Sequence, residues 1–316
     1  MKLDGYEKLY ALETTPEALQ ASCEYIASRL KPFLSTQEPV LICFRDEGPA
    51  SLGGIFKTAV EMCGATAIVW GPDYRWMELL RIAFDSHANT VIAHPLVALG
   101  LLKLANVTST PLYIYDLVFG GYPYSRWMVD GVKKGLDCRV WGCYAAQCGP
   151  VIIGFTCDKE AGIHVRNDVF DLQILDEHGN TQKYWQKGKI RFVSQKDPDV
   201  VYEPGESAIM HYQPCSCGCD APRLAELTHY SEEITINELE ERLLSWSSVL
   251  DYRVEYTESG INLEVVVFPG EKLPKLPSCA KLIVRSWNPQ EDIPFFIQDT
   301  YLKIPEKTME TIDFSN

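Results

Sequence analysis

Cys157 and His164 stand in the run Phe155-Thr156-Cys157-Asp158-Lys159-Glu160-Ala161-Gly162-Ile163-His164-Val165, and Cys215 and Cys217 in Gln213-Pro214-Cys215-Ser216-Cys217-Gly218-Cys219-Asp220. Pro214 and Gly218 force the second run into a tight turn, where two thiolates one residue apart can converge on a single ion. A Cys-x6-His pair from elsewhere completes a tetrahedral Cys₃His set, with zinc as the natural ion because thiolate and imidazole suit it. Cys219 is an alternative for one of the three thiols. The competing reading is that all of these are ordinary buried thiols, but the polar, turn-rich Pro-Cys-Ser-Cys-Gly-Cys stretch is a poor place for core residues. Four protein ligands leave no open position, so the centre is expected to be structural. Cys23, Cys43, Cys63, Cys138, Cys143 and Cys279 fall in apolar or periodic stretches and read as core thiols.

The elements that must position these residues follow from periodicity. Thr15-Pro16-Glu17 is a helix start, with Leu19, Cys23, Ile26 and Leu30 at helical spacing. Val40–Phe44 reads as a strand, 55–63 as a helix closed by Gly64, and 66–70 as a strand. Helix 75–84, strand 90–93, helix 95–104, strand 112–119, helix 125–134 and strand 138–144 follow. Strands alternating with helices imply an α/β fold with a parallel sheet covered by helices. From Val151 to Tyr212 the texture is strands and turns, a β-rich part that includes strands over 169–175 and 189–193. Beyond Pro222, a helix over 236–244 and strands over 252–256, 261–268, 280–287 and 295–297 make a small α+β unit. The expected division is residues 1–222, comprising an α/β part (1–150) and a β-rich zinc-binding part (151–222), followed by a C-terminal lid domain at 223–316.

Several motifs resemble the adenylate-forming ligase superfamily, and within it the phenylacetate–CoA ligases and the related deazaflavin-adenylating synthetases. Gly121-Tyr122-Pro123-Tyr124-Ser125 is similar to the family's G-A-E-P-W-S turn, and Trp141-Gly142 to the start of its Y-G-x-[ST]-E loop. Gly162-Ile163-His164-Val165-Arg166-Asn167-Asp168 resembles G-L-H-I-W-E-D, and Pro214 to Leu224 resembles P-C-P-C-G-R-T-H-P-R-I. The resemblance runs from about Pro39 to the C-terminus, with its specific motifs in Gly120–Leu224. It implies that Gly120, Gly121, Tyr122 and Pro123 line an adenine pocket and that Trp141 and Gly142 form a loop beside the acyl-adenylate. Glu206 takes the place of the aspartate that grips the ribose hydroxyls, with a solvated turn residue as the competing reading. The Cys-x6-His and Cys-x-Cys positions coincide with metal-ligand positions in some members.

The departures from that pattern bear on activity. Such ligases carry a Ser/Thr/Gly-rich loop and a lysine that cradle the ATP phosphates, since backbone amides must approach phosphate oxygen closely. The nearest run here, Gly48-Pro49-Ala50-Ser51-Leu52-Gly53-Gly54 with Lys57 behind it, corresponds to a different loop, and the chain reads as short by an N-terminal subdomain. Cys143-Tyr144-Ala145-Ala146-Gln147 lacks the family's glutamate, which leaves magnesium without its carboxylate. The G-R-x-D-D hinge is replaced by Thr228-His229-Tyr230-Ser231-Glu232-Glu233. Lys307 corresponds to the catalytic lysine by its distance from the C-terminus, against a competing reading as a solvated tail residue.

With 316 residues the chain exceeds what one hydrophobic core usually serves, so two domains are expected. Its net charge of −14 excludes nucleic acid or an anionic membrane as the main partner. The start lacks the apolar core of a signal peptide, and no stretch reaches the ~20 apolar residues of a membrane span, so a cytoplasmic protein is expected. Three functions stand side by side. One is a phenylacetate–CoA ligase-like protein, catalytically reduced or inactive, that binds a nucleotide-like ligand such as ATP or AMP, an acyl ligand, or a partner protein. The second is an active AMP-forming acid–CoA ligase acting on an aromatic or other carboxylate. The third is a zinc-stabilised interaction subunit of a split ligase.

Overall fold

The computed structural model describes residues 3–70, 75–121, 126–146, 149–159, 162–182, 185–229, 236–257, 260–271 and 281–291. The chain divides into two compact units. The first comprises Met1–Gly71, Ser86–Pro95 and Tyr113–Tyr230, and the second Pro72–Asp85, Leu96–Leu112 and Ser231–Asn316.

The first unit begins with helices α1 (Leu3–Glu13) and α2 (Pro16–Leu30). The start of α2 is where the sequence places it: Thr15 is extended and its side chain accepts the Ala18 N–H, satisfying an orphan donor of the first turn. Strand β1 (Val40–Cys43), helix α3 (Leu52–Met62) and strand β2 (Ala67–Val69) follow, and Gly64 takes the positive φ that ends α3. Helix α4 (Trp76–Asp85), strand β3 (Thr90–Ala93), helix α5 (Pro95–Thr108), strand β4 (Asp116–Gly120), helix α6 (Arg126–Leu136) and strand β5 (Arg139–Ala145) complete the alternating part. The expected strand over 112–119 is shorter at its start because Tyr113 and Tyr115 are exposed, so the chain joins the sheet only at Asp116. Helix α1 was not anticipated: among its residues with described burial, Leu9 and Glu13 alone are deeply buried, too few to produce an apolar periodicity.

Strands β1 to β5 are parallel, in the order β2-β1-β3-β4-β5. From β5 onward the pairing turns antiparallel, through β6 (Ile152–Thr156), β7 (Ile163–Val165), β8 (Phe170–Leu175), β9 (Lys187–Ser194), β10 (Val201–Tyr202), β11 (Glu206–His211) and β12 (Arg223–His229). The β-rich part is hydrogen-bonded into the same sheet, which has 12 strands. Strand β12 lies beyond the expected boundary at residue 222, yet it pairs with β11 and β7.

Side-chain alternation on β5 sends Cys143 and Ala145 into the core beneath α2 and α3, and Tyr144 and Ala146 into a second core with β7 to β12 and Leu9 of α1. One strand thereby joins two hydrophobic clusters.

In the second unit, helix α7 (Ile236–Leu244) accompanies a three-stranded sheet of β13 (Val249–Thr257), β14 (Gly260–Val267) and β15 (Lys281–Ser286), with β14 central. Helices α4 and α5 are tied to these elements by buried polar contacts. Lys103 of α5 donates to the carbonyls of Leu244, Trp246 and Val249 at 2.6, 3.0 and 2.7 Å. A cation at the end of α7 satisfies carbonyls that the helix leaves free and complements its dipole. The Trp76 indole donates to Asp251 at 3.0 Å, and a Cβ on Gly100 would lie 2.0 Å from the Trp76 ring. Lys103→Met should lower the stability of this unit in urea by about 2–4 kcal/mol, since the carbonyls of the buried residues Leu244 and Val249 lose their donor. A control at exposed Lys134 should change it by less than about 0.5 kcal/mol.

Candidate metal centre and ligand pocket

His164 sits on β7, paired with Phe155 of β6 on one side and Arg223 of β12 on the other. Close approach of β6 depends on Gly154, where a Cβ would come within 2.3 Å of the His164 carbonyl oxygen. Cys157 is the first residue past β6. Cys215 and Cys217 occupy the turn between β11 and β12, closed by Gly218 N–H to the Cys215 carbonyl at 2.9 Å, with Gly218 at φ 87°. The sheet thus delivers four ligands from three places in the sequence.

The ligand atoms of Cys157, His164, Cys215 and Cys217 all lie within 4.8 Å of one another. Cys157 Sγ is 3.7 Å from Cys215 Sγ, and Cys217 Sγ is 3.5 Å from His164 Nε2. A tetrahedral ion with metal–sulfur bonds of about 2.3 Å has sulfur–sulfur edges of about 3.8 Å, so these separations fit one ion. The local electrostatics fit as well. Backbone N–H from Cys217 holds the Cys215 thiol below its ordinary pKa. Burial pushes Cys217 up to about 11, with the Cys215 and Cys157 sulfurs adding to the rise. Without a cation, three thiolates this close oppose one another's ionisation; a divalent ion removes that opposition. Burial, and after it the Arg29 and Arg223 guanidiniums, lower the His164 pKa and favour the neutral imidazole that a metal requires. Cys219, the alternative ligand, stands outside the four-atom cluster, and its side chain acts electrostatically on the Arg29 guanidinium.

The residues that the resemblance assigns to a nucleotide and acyl pocket have other neighbours. Gly120 ends β4, where a Cβ would meet the Phe44 ring at 2.9 Å and the Phe56 ring at 3.2 Å. Gly121 follows at φ 85°. Trp141 and Gly142 stand inside β5 rather than in a loop, because both pair with β4, Trp141 against Val118 and Gly142 against Phe119. The Trp141 indole donates to Asp116 at 2.9 Å and stacks on Phe33 at 4.4 Å between centroids. Arg139 donates to the same carboxylate at 2.7 Å. Glu206 is buried, and its Oε2 accepts from the Tyr144 hydroxyl. Burial raises its pKa to about 8, against a smaller lowering by Tyr144. Lys57 is paired with Asp46 at 3.0 Å, and Ser51 caps α3 by accepting from Gly54 N–H. Tyr122, Pro123 and Lys307, with the expected strand at 295–297, lie outside the described residues.

Sequence reasoning missed Tyr144, Asp116 and Arg29. Tyr144 and Asp116 look like ordinary strand positions, and Arg29 looks like a helix-surface charge.

With this geometry in view, the chain matches no family model and no curated protein. Solved structures do share its fold, and they are adenylate-forming ligases. A 2-hydroxyisobutyryl-CoA ligase in the postadenylation state, in complex with R3-HIB-AMP, superposes with a TM-score of 0.62 at 17% identity, covering 80% of this chain and 59% of that one. The same ligase in its thioesterification state, with 2-HIB-AMP and CoA, gives 0.59 at 14% identity over 93% and 69%. A benzoate CoA ligase from Burkholderia xenovorans LB400 gives 0.53 at 12% identity over 88% and 64%. The chain thus has the α/β fold of acyl-CoA ligases, and spans 59% of the length of the postadenylation ligase structure. Among the described residues no helix is long and apolar enough to cross a membrane.

The buried carboxyl gives this region a pH signature. Glu206 keeps its proton in the folded chain up to about pH 8, whereas the unfolded chain loses it near the ordinary carboxyl value of 4.5. Its contribution to stability is therefore full below that value and is lost as pH rises through the interval to about 8. Glu206→Gln should flatten this part of the stability–pH curve and leave the variant more stable than the parent above pH 8, by roughly 2 kcal/mol in denaturant titrations.

Proposed function

We propose that this chain is a phenylacetate–CoA ligase-like protein, reduced in adenylation chemistry and stapled by a structural zinc ion, that binds a nucleotide-like or acyl ligand or a partner protein. The observation that carries the reading is Glu206. The carboxylate assigned to the ribose is buried and bonded to Tyr144. A carboxyl whose pKa lies near 8 is mostly protonated at neutral pH and is a poor grip for a diol, which prefers paired acceptor oxygens. Gly120 packed on Phe44 and Phe56, Trp141 held by Asp116, and Lys57 held by Asp46 support the same reading. Among the described residues, Gly120, Trp141, Lys57 and Glu206 are thus each engaged with the protein itself.

Zinc is the ion that the ligand set supports best, because three thiolates and one imidazole at tetrahedral spacing are soft, nitrogen–sulfur donors. Cys157, His164, Cys215 and Cys217 would hold it, and its contribution would be folding energy rather than catalysis. A cytoplasmic location is consistent with free rather than disulfide-bonded cysteines.

A second reading is favoured by the comparisons. Ligases in complex with acyl-AMP and CoA share this fold over most of this chain, so an active AMP-forming acid–CoA ligase with substituted phosphate ligands is the rival. A zinc-stabilised interaction subunit of a split ligase is the third reading, and it too rests on the Cys157, His164, Cys215 and Cys217 cluster.

Two experiments test the proposal. Pyrophosphate exchange and AMP release, measured with ATP, magnesium and a panel of aromatic and short hydroxy acids, should stay at background; clear turnover establishes the rival. Purified protein should contain about one equivalent of zinc per chain. Cys215→Ser with Cys217→Ser should lose the metal and several kcal/mol of stability, on the order expected when binding energy is folding energy.

A further inference from the structure

The zinc reading leaves a charge to be balanced, and α2 supplies the groups that balance it. A divalent ion held by three thiolates and a neutral imidazole carries one net negative charge. His164 and Cys215 are buried, so that charge sits partly out of water, where an uncompensated ion is costly. Two guanidiniums, those of Arg29 and Arg223, act electrostatically on its histidine, and a third, that of Arg166, shares the Tyr25 ring with Arg29. Arg29 comes from the last turn of α2, Arg166 directly follows β7, and Arg223 opens β12 opposite His164 in register.

Their geometry is specific. Ser22, Tyr25 and Arg29 share one face of α2 at helical spacing. The Tyr25 hydroxyl donates to the His164 carbonyl at 3.4 Å, and the guanidiniums of Arg29 and Arg166 both lie over the Tyr25 ring, 5.0 Å from its centre. Arg166 is buried, donates to Ser22 at 3.0 Å, and has as its ion-pair partner Asp168 at 3.5 Å, whose side chain is 68% exposed. The Arg29 guanidinium interacts electrostatically with Tyr25 and with Cys219, next to the thiolate turn. Arg223 donates to the Gln213 carbonyl at 2.9 Å, anchoring the entry to the same turn, and its charge acts on both Cys215 and His164.

Gathering three cations in one place is unfavourable in itself. It becomes favourable around an anionic centre. We infer that Arg29, Arg166 and Arg223, ordered by the Tyr25 face of α2, form the cationic outer shell of the thiolate-rich metal centre. Through it, metal binding fixes α2 to the β-rich part of the first unit. These are positioning residues: they touch the ligand turn, its flanks and the histidine strand, and act on the ion through charge. The inference rests on the zinc reading above.

The test uses the full chain. Zinc affinity is measured by competition with a chromophoric chelator for the parent, Arg29→Met, Arg29→Gln and Arg29→Lys, and thermal midpoints are recorded zinc-loaded and after chelator stripping. Outer-shell changes commonly cost about 10–100-fold in metal affinity. Arg29→Met and Arg29→Gln should weaken zinc at least tenfold, and Arg29→Lys, which keeps the charge, should restore most of it. The loss of midpoint should be confined to the zinc-loaded form, because in the stripped form removing one of three neighbouring cations relieves repulsion. Equal affinities, or the same loss of midpoint with and without zinc, overturn the inference and leave Arg29 as a packing residue. A parent protein that takes up no zinc overturns the zinc reading itself, a result that no arginine variant can mimic.

Discussion

Three sulfurs held within a few ångströms of one another are mutually repulsive once ionised, and the β-rich half of the first unit is organised around that fact. Hydrogen-bond donors from the turn backbone reach Cys215 and Cys217, guanidiniums stand behind the histidine, and the sheet brings Cys157 within 3.7 Å of Cys215 across a sequence separation of 58 residues. Such an arrangement disfavours the ionisation of several of its thiols together and suits them to sharing one cation. Cys157 follows directly on β6, His164 lies in the middle of β7, and Arg223 at the start of β12 pairs with His164.

In the first unit several polar side chains find their partners within the protein. Tyr144 and Glu206 bond to each other in the second core, and Trp141, Arg139 and Asp116 form a cluster at the start of β4 and β5. Phe44 and Phe56 occupy the space that the absence of a side chain at Gly120 leaves open. Buried polar groups need partners, and a protein that supplies those partners internally no longer needs a ligand to supply them. The fold of an acyl-CoA ligase can therefore persist while the chemistry of its pocket changes, because the fold depends on the two cores on either side of β5 and the chemistry on a few side chains at strand ends.

Much of this architecture was legible in the residues. The Thr15 cap, the alternation of strand and helix from Val40 to Tyr144, and the α7 span of Ile236–Leu244 were readable because capping and apolar periodicity are local. The four metal-ligand candidates were readable because cysteine in a Pro- and Gly-bounded turn has few other uses. Less legible were α1, whose burial rests on a few residues, and the joining of the β-rich strands to the parallel sheet, since short strands carry too little pattern to reveal their partners. Trp141 and Gly142 were legible as strand residues within the run 138–144, and it is the loop implied by the family resemblance that the structure replaces, since both pair with Val118 and Phe119 of β4.

By itself, then, the sequence determined the α/β class, the order of most elements and a short set of thiol and imidazole candidates for a metal, because these follow from short-range spacing and side-chain chemistry. Only the tertiary structure decided that the Cys-x6-His and Cys-x-Cys pairs meet, that Cys219 falls to Arg29 rather than to the cluster, and that Glu206 is buried against Tyr144. Each of those outcomes is a matter of which distant residue arrives in the same few cubic ångströms. That is set by strand register and core packing, which no local pattern encodes.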